Sequence, residues 1–217
     1  MYERDADAGV VPLEEALVVN DPAYRRRLML SMLTEEPDAY LAQLQAAKLN
    51  DDVEVAHYAA TAVAQISKES DLRLQQLERA FKMDPSAQNL NEYCDYLGEY
   101  LGSGLAEGHV AQIQRQQYAR LLARRCERED TLELRIRYAT ALADVGQIDE
   151  AQAVTDQLVL DVPEEQEVWM LCLRLAAMRR DGEEVHRVID AIDNQHVYLS
   201  AANREQLAFW RDGEEAR

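Results

Sequence analysis

The sequence predicts an all-α fold, arranged as a right-handed helical-repeat solenoid, and three observations support this prediction. Ala, Leu, Gln, Glu and Arg are abundant, and these side chains lose little conformational freedom in a helix. The 217 residues include only 8 glycines, and no stretch alternates like a strand. Residues 131–164 show the pattern of one helix-turn-helix unit, with small residues where two helices meet and a proline at its end.

The N-terminal region, 11–85, is predicted to be helical throughout. Residues 1–10 are expected to be a disordered start or a boundary left by truncation. Pro12 and Pro22 suit the first turns of two helices, because the first N–H groups of a helix have no intrahelical partner anyway.

The next two helices of this region form a pair. One covers 38–50, and Asp51 and Asp52 can cap an alanine-rich helix that follows it. Two helices joined in this way resemble a HEAT-type repeat. Two alternatives remain for the second helix: it continues past Ser70, or a new helix begins at Ser70-Asp71.

Residues 86–198 are predicted to form three helix pairs, of which the unit 131–164 is the clearest. Ala139 and Ala151 are small enough for two facing helices to approach closely. Gly146 supplies the turn between them, and Pro163 stops the second helix because it has no backbone N–H. These positions resemble the tetratricopeptide pattern, and the preceding pair resembles a degenerate unit with a lengthened turn.

One period of about 34 residues further on, a second unit is predicted over 165–191. Trp169 then stands where the tetratricopeptide pattern prefers tryptophan. The unit departs from the pattern in two ways, because its expected turn glycine, Gly182, comes two positions late and Val185 replaces a small residue. An ordinary helical hairpin pair is the alternative. A capping helix over 199–212 and a disordered tail over 213–217 complete the chain.

The charge and the cysteines limit the class of protein. The chain has 41 acidic and 23 basic residues, a formal net charge of −18, which repels phosphate backbones and predicts no nucleic-acid partner. Its 3 cysteines lie far apart without a C-x-x-C pair, which predicts free thiols in a reducing compartment. No apolar run reaches the roughly 18 residues of a spanning helix.

Motifs for catalysis are missing, so the sequence predicts a protein that is not an enzyme and needs no cofactor or metal. It contains no P-loop, no dinucleotide-binding glycine motif and no nucleophile elbow. His57 lacks ligands at metal spacing, which favours a packing role. A competing hypothesis places His57, Tyr58 and the arginines around a small-molecule pocket.

Two groups of residues are candidates for binding. The concave face of a helical stack can hold a partner segment, and aromatic rings supply rigid contact area there. A core role is the alternative for at least two of the tyrosines and for Trp169. A basic triplet could face anionic lipid or could pair with nearby acidic residues. The candidates for partner binding are Tyr93, Tyr96, Tyr100, Arg135, Tyr138 and Trp169, and the basic triplet is Arg25, Arg26 and Arg27.

Three segments, VPLEEALVVNDPAYRRRLML, LNDDVEVAHYAATAV and LSAANREQLAFW, together with the repeat units, resemble the E proteins of Pel exopolysaccharide systems. The resemblance implies a non-enzymatic scaffold at the cytoplasmic face of the inner membrane. Its implied partners are the cyclic-di-GMP receptor, the glycosyltransferase and the membrane transporter of such a system. The family has a transmembrane segment before the repeat domain, so the anchor is expected to lie outside this sequence. An unrelated cytoplasmic repeat adaptor and a small-molecule-binding regulatory domain are the alternatives.

Overall fold

The computed structural model describes residues 40–215, with side chains up to residue 211, and every regular element among them is a helix. This confirms the all-α fold class. The helices predicted after Pro12 and Pro22 lie outside the described residues. Within 40–215, no helix combines the length and apolar character that crossing a membrane requires. In chain order the nine described helices are α1 Leu41–Ala47, α2 Val53–Met83, α3 Ala87–Gly102, α4 Gly108–Cys126, α5 Leu132–Asp144, α6 Ile148–Asp161, α7 Gln166–Arg179, α8 Gly182–Asn194 and α9 Ala201–Glu215.

The chain divides into two compact units, of which the first is Met1–Pro85 with Gly102–Leu105. In its described part, α1 packs against the beginning of α2. The side chain of Asp52 caps α2 by accepting a hydrogen bond from the N–H of Glu54 at 2.9 Å. The small residues Ala59 and Ala62 on α2 allow the two helices to lie close together. The buried residues of this core recur at helical spacing: Leu44, Ala47, Val55, Ala59, Ala62 and Ile66.

α2 is one continuous helix of 31 residues that passes through Ser70 without a break. Of the two alternatives, the one in which the helix continues past Ser70 is therefore correct. Ser70 and Asp71 can cap a helix, but the flanking Lys, Glu, Leu and Gln residues are good helix formers that favour continuation. α2 ends at Met83, where Asp84 and Pro85 follow.

The second unit, Ser86–Leu101 with Ala106–Arg217, packs its helices in sequential order. From α4 to α8 each helix contacts the next, and α5 also contacts α7. Ala139 and Ala151 are both fully buried in the cluster formed by α5, α6 and α7, as predicted for residues at a close helix contact. A further cluster joins α7, α8 and α9. α7 contributes one face to each cluster and is therefore buried nearly all round.

Three helices of this unit end in the same left-handed turn. Gly146, Arg180 and His196 have φ values of 81°, 58° and 54°. After each, the next N–H reaches back to a carbonyl five residues earlier, as from Gln147 to Leu142 at 2.9 Å. Arg180 stands 34 positions after Gly146, which is the spacing expected of a tetratricopeptide-like period.

The expectation that Gly182 makes the turn of the second unit is wrong. Gly182 is the first residue of α8, and Asp181 before it caps that helix by accepting from the N–H of Glu184 at 3.0 Å. Arg180 takes the left-handed position at a steric cost that glycine would not have. The 34-residue spacing from Gly146 already pointed to position 180, and the expectation failed because the turn was assigned to the nearest glycine instead.

Replacing Arg180 with glycine should therefore stabilise the protein by about 0.5–1 kcal/mol, since the strain of a Cβ at positive φ disappears. Urea unfolding followed by circular dichroism measures the change. Gly146→Ala is the matched control at the equivalent turn, where an added Cβ meets no atom within 4 Å and only the backbone cost remains. It should lower stability by about 1 kcal/mol. Equal signs for the two changes would contradict this account of the turns.

The last helix, α9, is held against α7 at its beginning. Gln166 accepts hydrogen bonds through Oε1 from the N–H of Ser200 at 2.8 Å and from Nδ2 of Asn203 at 2.9 Å. α9 extends to Glu215, whereas the predicted capping helix ended at 212. The predicted disordered tail thus overlaps the helix, because glutamates that follow the predicted end are good helix formers.

Candidate functional site

An open groove of about 310 Å³ lies on the second unit, between α6 and α8. We call it the α6–α8 groove. Its walls come from α6 and α8, and its floor comes from α7. The floor and inner walls are mainly apolar: Val159, Trp169, Cys172, Val188 and Ala191. Leu160 on the edge is 73 % exposed, so apolar surface continues from the groove to solvent.

Charged side chains also line this groove. Asp156 on α6 accepts a hydrogen bond from the neutral amide of Gln152 at 2.7 Å, and Glu184 on α8 pairs with Arg187 at 2.5 Å. Burial raises the pKa of the Cys172 thiol on the floor to about 12, and the charges of Asp156 and Glu184 act in the same direction. Both carboxylates therefore act on the same part of the floor.

Each wall changes from acidic to apolar over one helical turn. Asp156 and Leu160 are four residues apart on α6, and Glu184 and Val188 are four apart on α8. Four residues of helix rise by about 6 Å. On each wall an acidic residue thus precedes an apolar one by one turn, a pattern that suits an amphipathic segment better than a small polar molecule.

Trp169 is fixed in the floor by a hydrogen bond as well as by packing. Its Nε1–H donates to the carbonyl oxygen of Pro163 at 2.7 Å, and the residue is 5 % exposed. The indole body can therefore be buried without leaving its N–H unpaired. The proline that ends the first unit thus also positions the tryptophan of the second.

A second cavity, of about 440 Å³, lies between the end of α8 and α9. Asp193 and Arg211 form an ion pair at 2.6 Å on its edge. Tyr198, which is 81 % exposed, and Leu207 contribute apolar surface. This cavity belongs to the end of the helical stack.

A polar network joins α3, α4 and α5 elsewhere in this unit. Asp95 Oδ1 accepts from Arg125 Nη1 at 2.6 Å and from Arg137 Nη2 at 3.2 Å. Arg137 also donates to the Tyr118 hydroxyl at 2.9 and 3.1 Å. Arg125 is 8 % exposed, and its Nε has no hydrogen-bond partner among the residues that the structure describes.

The electrostatics of this network keep both arginines charged. Burial alone would lower the pKa of Arg125, but hydrogen bonds to Asp95 and to the Cys94 thiol outweigh it, so the pKa is raised. Gly98 leaves space for the Tyr118 hydroxyl, since an added Cβ would lie 2.8 Å from that oxygen. These contacts hold three helices together, and we interpret the network as structural.

Half of the six predicted partner-binding residues lie in the core. Tyr93, Tyr100 and Trp169 are buried, and Tyr96 is half-buried on α3. A buried ring packs mainly against its own chain, so it offers a partner little of the contact area that was expected of it. The core alternative therefore applies to Tyr93, Tyr100 and Trp169.

The other two candidates lie together on α5. Arg135 is engaged in ion pairs with Asp161 at 2.6 Å and Asp130 at 3.9 Å. Tyr138 packs against the cluster of α5, α6 and α7, whereas Trp169 belongs to the cluster of α7, α8 and α9. The candidates therefore do not form one surface. Arg25, Arg26 and Arg27 lie outside the described residues.

His57 and Tyr58 lie on the exposed side of α2, with ring centroids 6.1 Å apart. His57 is thus a surface residue and not the packing histidine that was expected. Among residues 40–215, no group of three or more His, Cys, Asp and Glu side chains is arranged to hold a metal ion.

Sequence reasoning missed the walls of the groove and the Asp95 network. A stripe at helical spacing on α6, formed by Gln152, Asp156 and Val159, was a readable sign of a common helix face. Nothing local could reveal that this face meets α8. Comparisons of the chain with protein-family models, curated proteins and solved structures give no significant match. The groove and the repeated turn are therefore the observations from which a function can be proposed.

Proposed function

We propose that this chain is a non-catalytic adaptor whose region 86–198 forms a right-handed solenoid of tetratricopeptide-like helix pairs. Sequential contacts from α4 to α8 and the contact of α5 with α7 support this arrangement. Ion pairs also connect alternate helices, Asp95 with Arg137 and Asp144 with Arg174 at 2.5 Å. The turn that recurs at Gly146 and Arg180 supports a repeat of the same period.

The α6–α8 groove is the observation that carries the adaptor function. It crosses from one helix pair to the next, has an apolar floor and carries its charges at the edge. This combination is typical of surfaces that bind a helix or a peptide segment of another protein. A stack of helix pairs can present such a groove without any moving part or reacting group.

The complex we propose is an inner-membrane machine for exopolysaccharide synthesis and export of the Pel type. The resemblance of the three segments given above to Pel E proteins supports this assignment. The partners would be the cyclic-di-GMP receptor, the glycosyltransferase and the membrane transporter. The chain would act at the cytoplasmic face of the membrane, through an anchor outside this sequence.

A capture experiment tests this function. The full 217-residue chain is used as bait on detergent extracts of membranes from a Pel-producing bacterium, at increasing salt, with mass spectrometry of the retained proteins. An unrelated helical protein of similar negative charge is the control bait. Retention of the glycosyltransferase and the cyclic-di-GMP receptor by this chain alone is expected. Specific retention of a different partner would refute the exopolysaccharide assignment but support an adaptor function. Retention no greater than that of the control bait would refute the adaptor function.

A further inference from the structure

The geometry points to an occupant for the α6–α8 groove: an amphipathic helix of a partner protein that carries an apolar anchor and, one turn away, a Lys or Arg. This inference rests on the proposed adaptor function and specifies the partner chemistry. It follows from the shape of the groove, the position of its charges and the overall charge of the chain.

The apolar residues of the groove determine the kind of side chain that can serve as the partner's anchor. Val159, Val188 and Ala191 line the groove together with Trp169, and the volume of about 310 Å³ accommodates one or two apolar side chains. Leu160 adds exposed apolar area next to it. Burying Leu160 under a partner side chain removes apolar surface of both from water, which favours binding.

The acidic residues of the groove determine the charge that the partner helix must carry. Two carboxylates, Asp156 and Glu184, stand beside one guanidinium, Arg187, which pairs with Glu184. Within the part of the chain that the structure describes, Asp156 has no cationic partner. A Lys or Arg of the partner helix would supply the cation that pairs with Asp156. The net charge of −18 would also attract a basic helix from a distance.

The order of the two features fixes the spacing in the partner. Asp156 precedes Leu160 by one turn, and Glu184 precedes Val188 by one turn. An anchor and a basic residue three or four positions apart on one helix face match this distance of about 6 Å. Partner helices with a Glu in place of the basic residue would meet like charges and bind more weakly.

The probe is a synthetic helical peptide, rich in alanine and glutamine, with two leucines four positions apart and a lysine one turn further on. A second peptide has Glu in place of the lysine. The chain contains 2 tryptophans, so Trp210→Phe leaves Trp169 in the groove floor as a fluorescence reporter. The lysine peptide should shift Trp169 emission saturably and bind at least about fivefold more tightly than the Glu peptide.

Charge reversal in the groove provides the decisive comparison. Asp156→Lys should reverse the preference between the two peptides, and Leu160→Ala should weaken the lysine peptide about fivefold. Asp190→Lys, an exposed position on α8 that does not line the groove, should leave the preference unchanged. No saturable shift up to about 1 mM peptide, or an unchanged preference after Asp156→Lys, would overturn the inference.

The same variants separate this inference from the proposed function. If the groove variants Asp156→Lys and Leu160→Ala retain the exopolysaccharide components as well as the wild-type chain does, that result would support the adaptor function. It would also show that the groove is not its binding site. If the peptides bind with the expected preference but the membrane extract yields none of those components, the groove chemistry stands and the pathway does not.

Discussion

Replacing Asp95 with alanine should lower the free energy of unfolding by about 2–3 kcal/mol, because Arg125 then remains charged in a buried position without its carboxylate. Arg137 loses the same acceptor but keeps the Tyr118 hydroxyl. The side chain of Asp95 is itself 46 % exposed, so water replaces part of the lost interaction and keeps the cost below that of a fully buried pair. Urea unfolding at neutral pH measures the change.

Two further variants keep this prediction specific. Asp149→Ala breaks the pair with Arg179, which has the same separation of 30 residues but involves a carboxylate that is 99 % exposed. It should have little effect, because water screens that pair. Adding Arg125→Met to Asp95→Ala should recover stability by removing the unpaired charge. If Asp95→Ala costs no more than Asp149→Ala, the network does not hold the three helices together.

Replacing Trp169 with alanine should cost about 3–5 kcal/mol, the larger of the two effects, because it empties space in the cluster of α7, α8 and α9. The same change leaves the Pro163 carbonyl without its donor. Unfolding in urea and the melting temperature both report the loss. This prediction treats Trp169 first as a core residue, in keeping with its 5 % exposure.

Conservative and matched changes separate the two contributions of Trp169. Trp169→Phe retains an aromatic ring in the cluster but cannot donate a hydrogen bond to the Pro163 carbonyl. It should lower the free energy of unfolding by about 1 kcal/mol more than the loss of buried apolar area alone would. Trp210→Ala removes the other tryptophan, which is only partly buried against the same cluster, and should cost less than Trp169→Ala. Equal losses for the two alanine variants would contradict the central position of Trp169.

Local features of the fold could be predicted from the sequence because local rules govern them. The helix formers, the buried pair Ala139 and Ala151, and the turn at Gly146 all appear where composition and spacing placed them. The helix boundary before Pro163 follows from its missing N–H. Prediction went wrong at Arg180, which takes the left-handed position of its turn although a residue with a Cβ disfavours that conformation.

The candidate site could not be predicted in the same way, because its parts come from distant positions. Arg125 and Arg137 follow Asp95 by 30 and 42 residues, and no periodicity relates the three positions. Tyr93 and Tyr100 have the spacing of a helix face, but spacing alone does not say whether that face meets solvent or the core. Which side of a helix is covered depends on its neighbours, and for α7 both sides are covered.

The walls of the α6–α8 groove come from helices that are not consecutive in the chain, and α7, which lies between them in sequence, supplies the floor. α7 packs against both α6 and α8, and α9 is attached to it through Gln166. A partner bound in the groove would therefore contact three helices at once. Since a ligand that binds only the folded state stabilises that state, occupancy of the groove would raise the free energy of unfolding of the second unit.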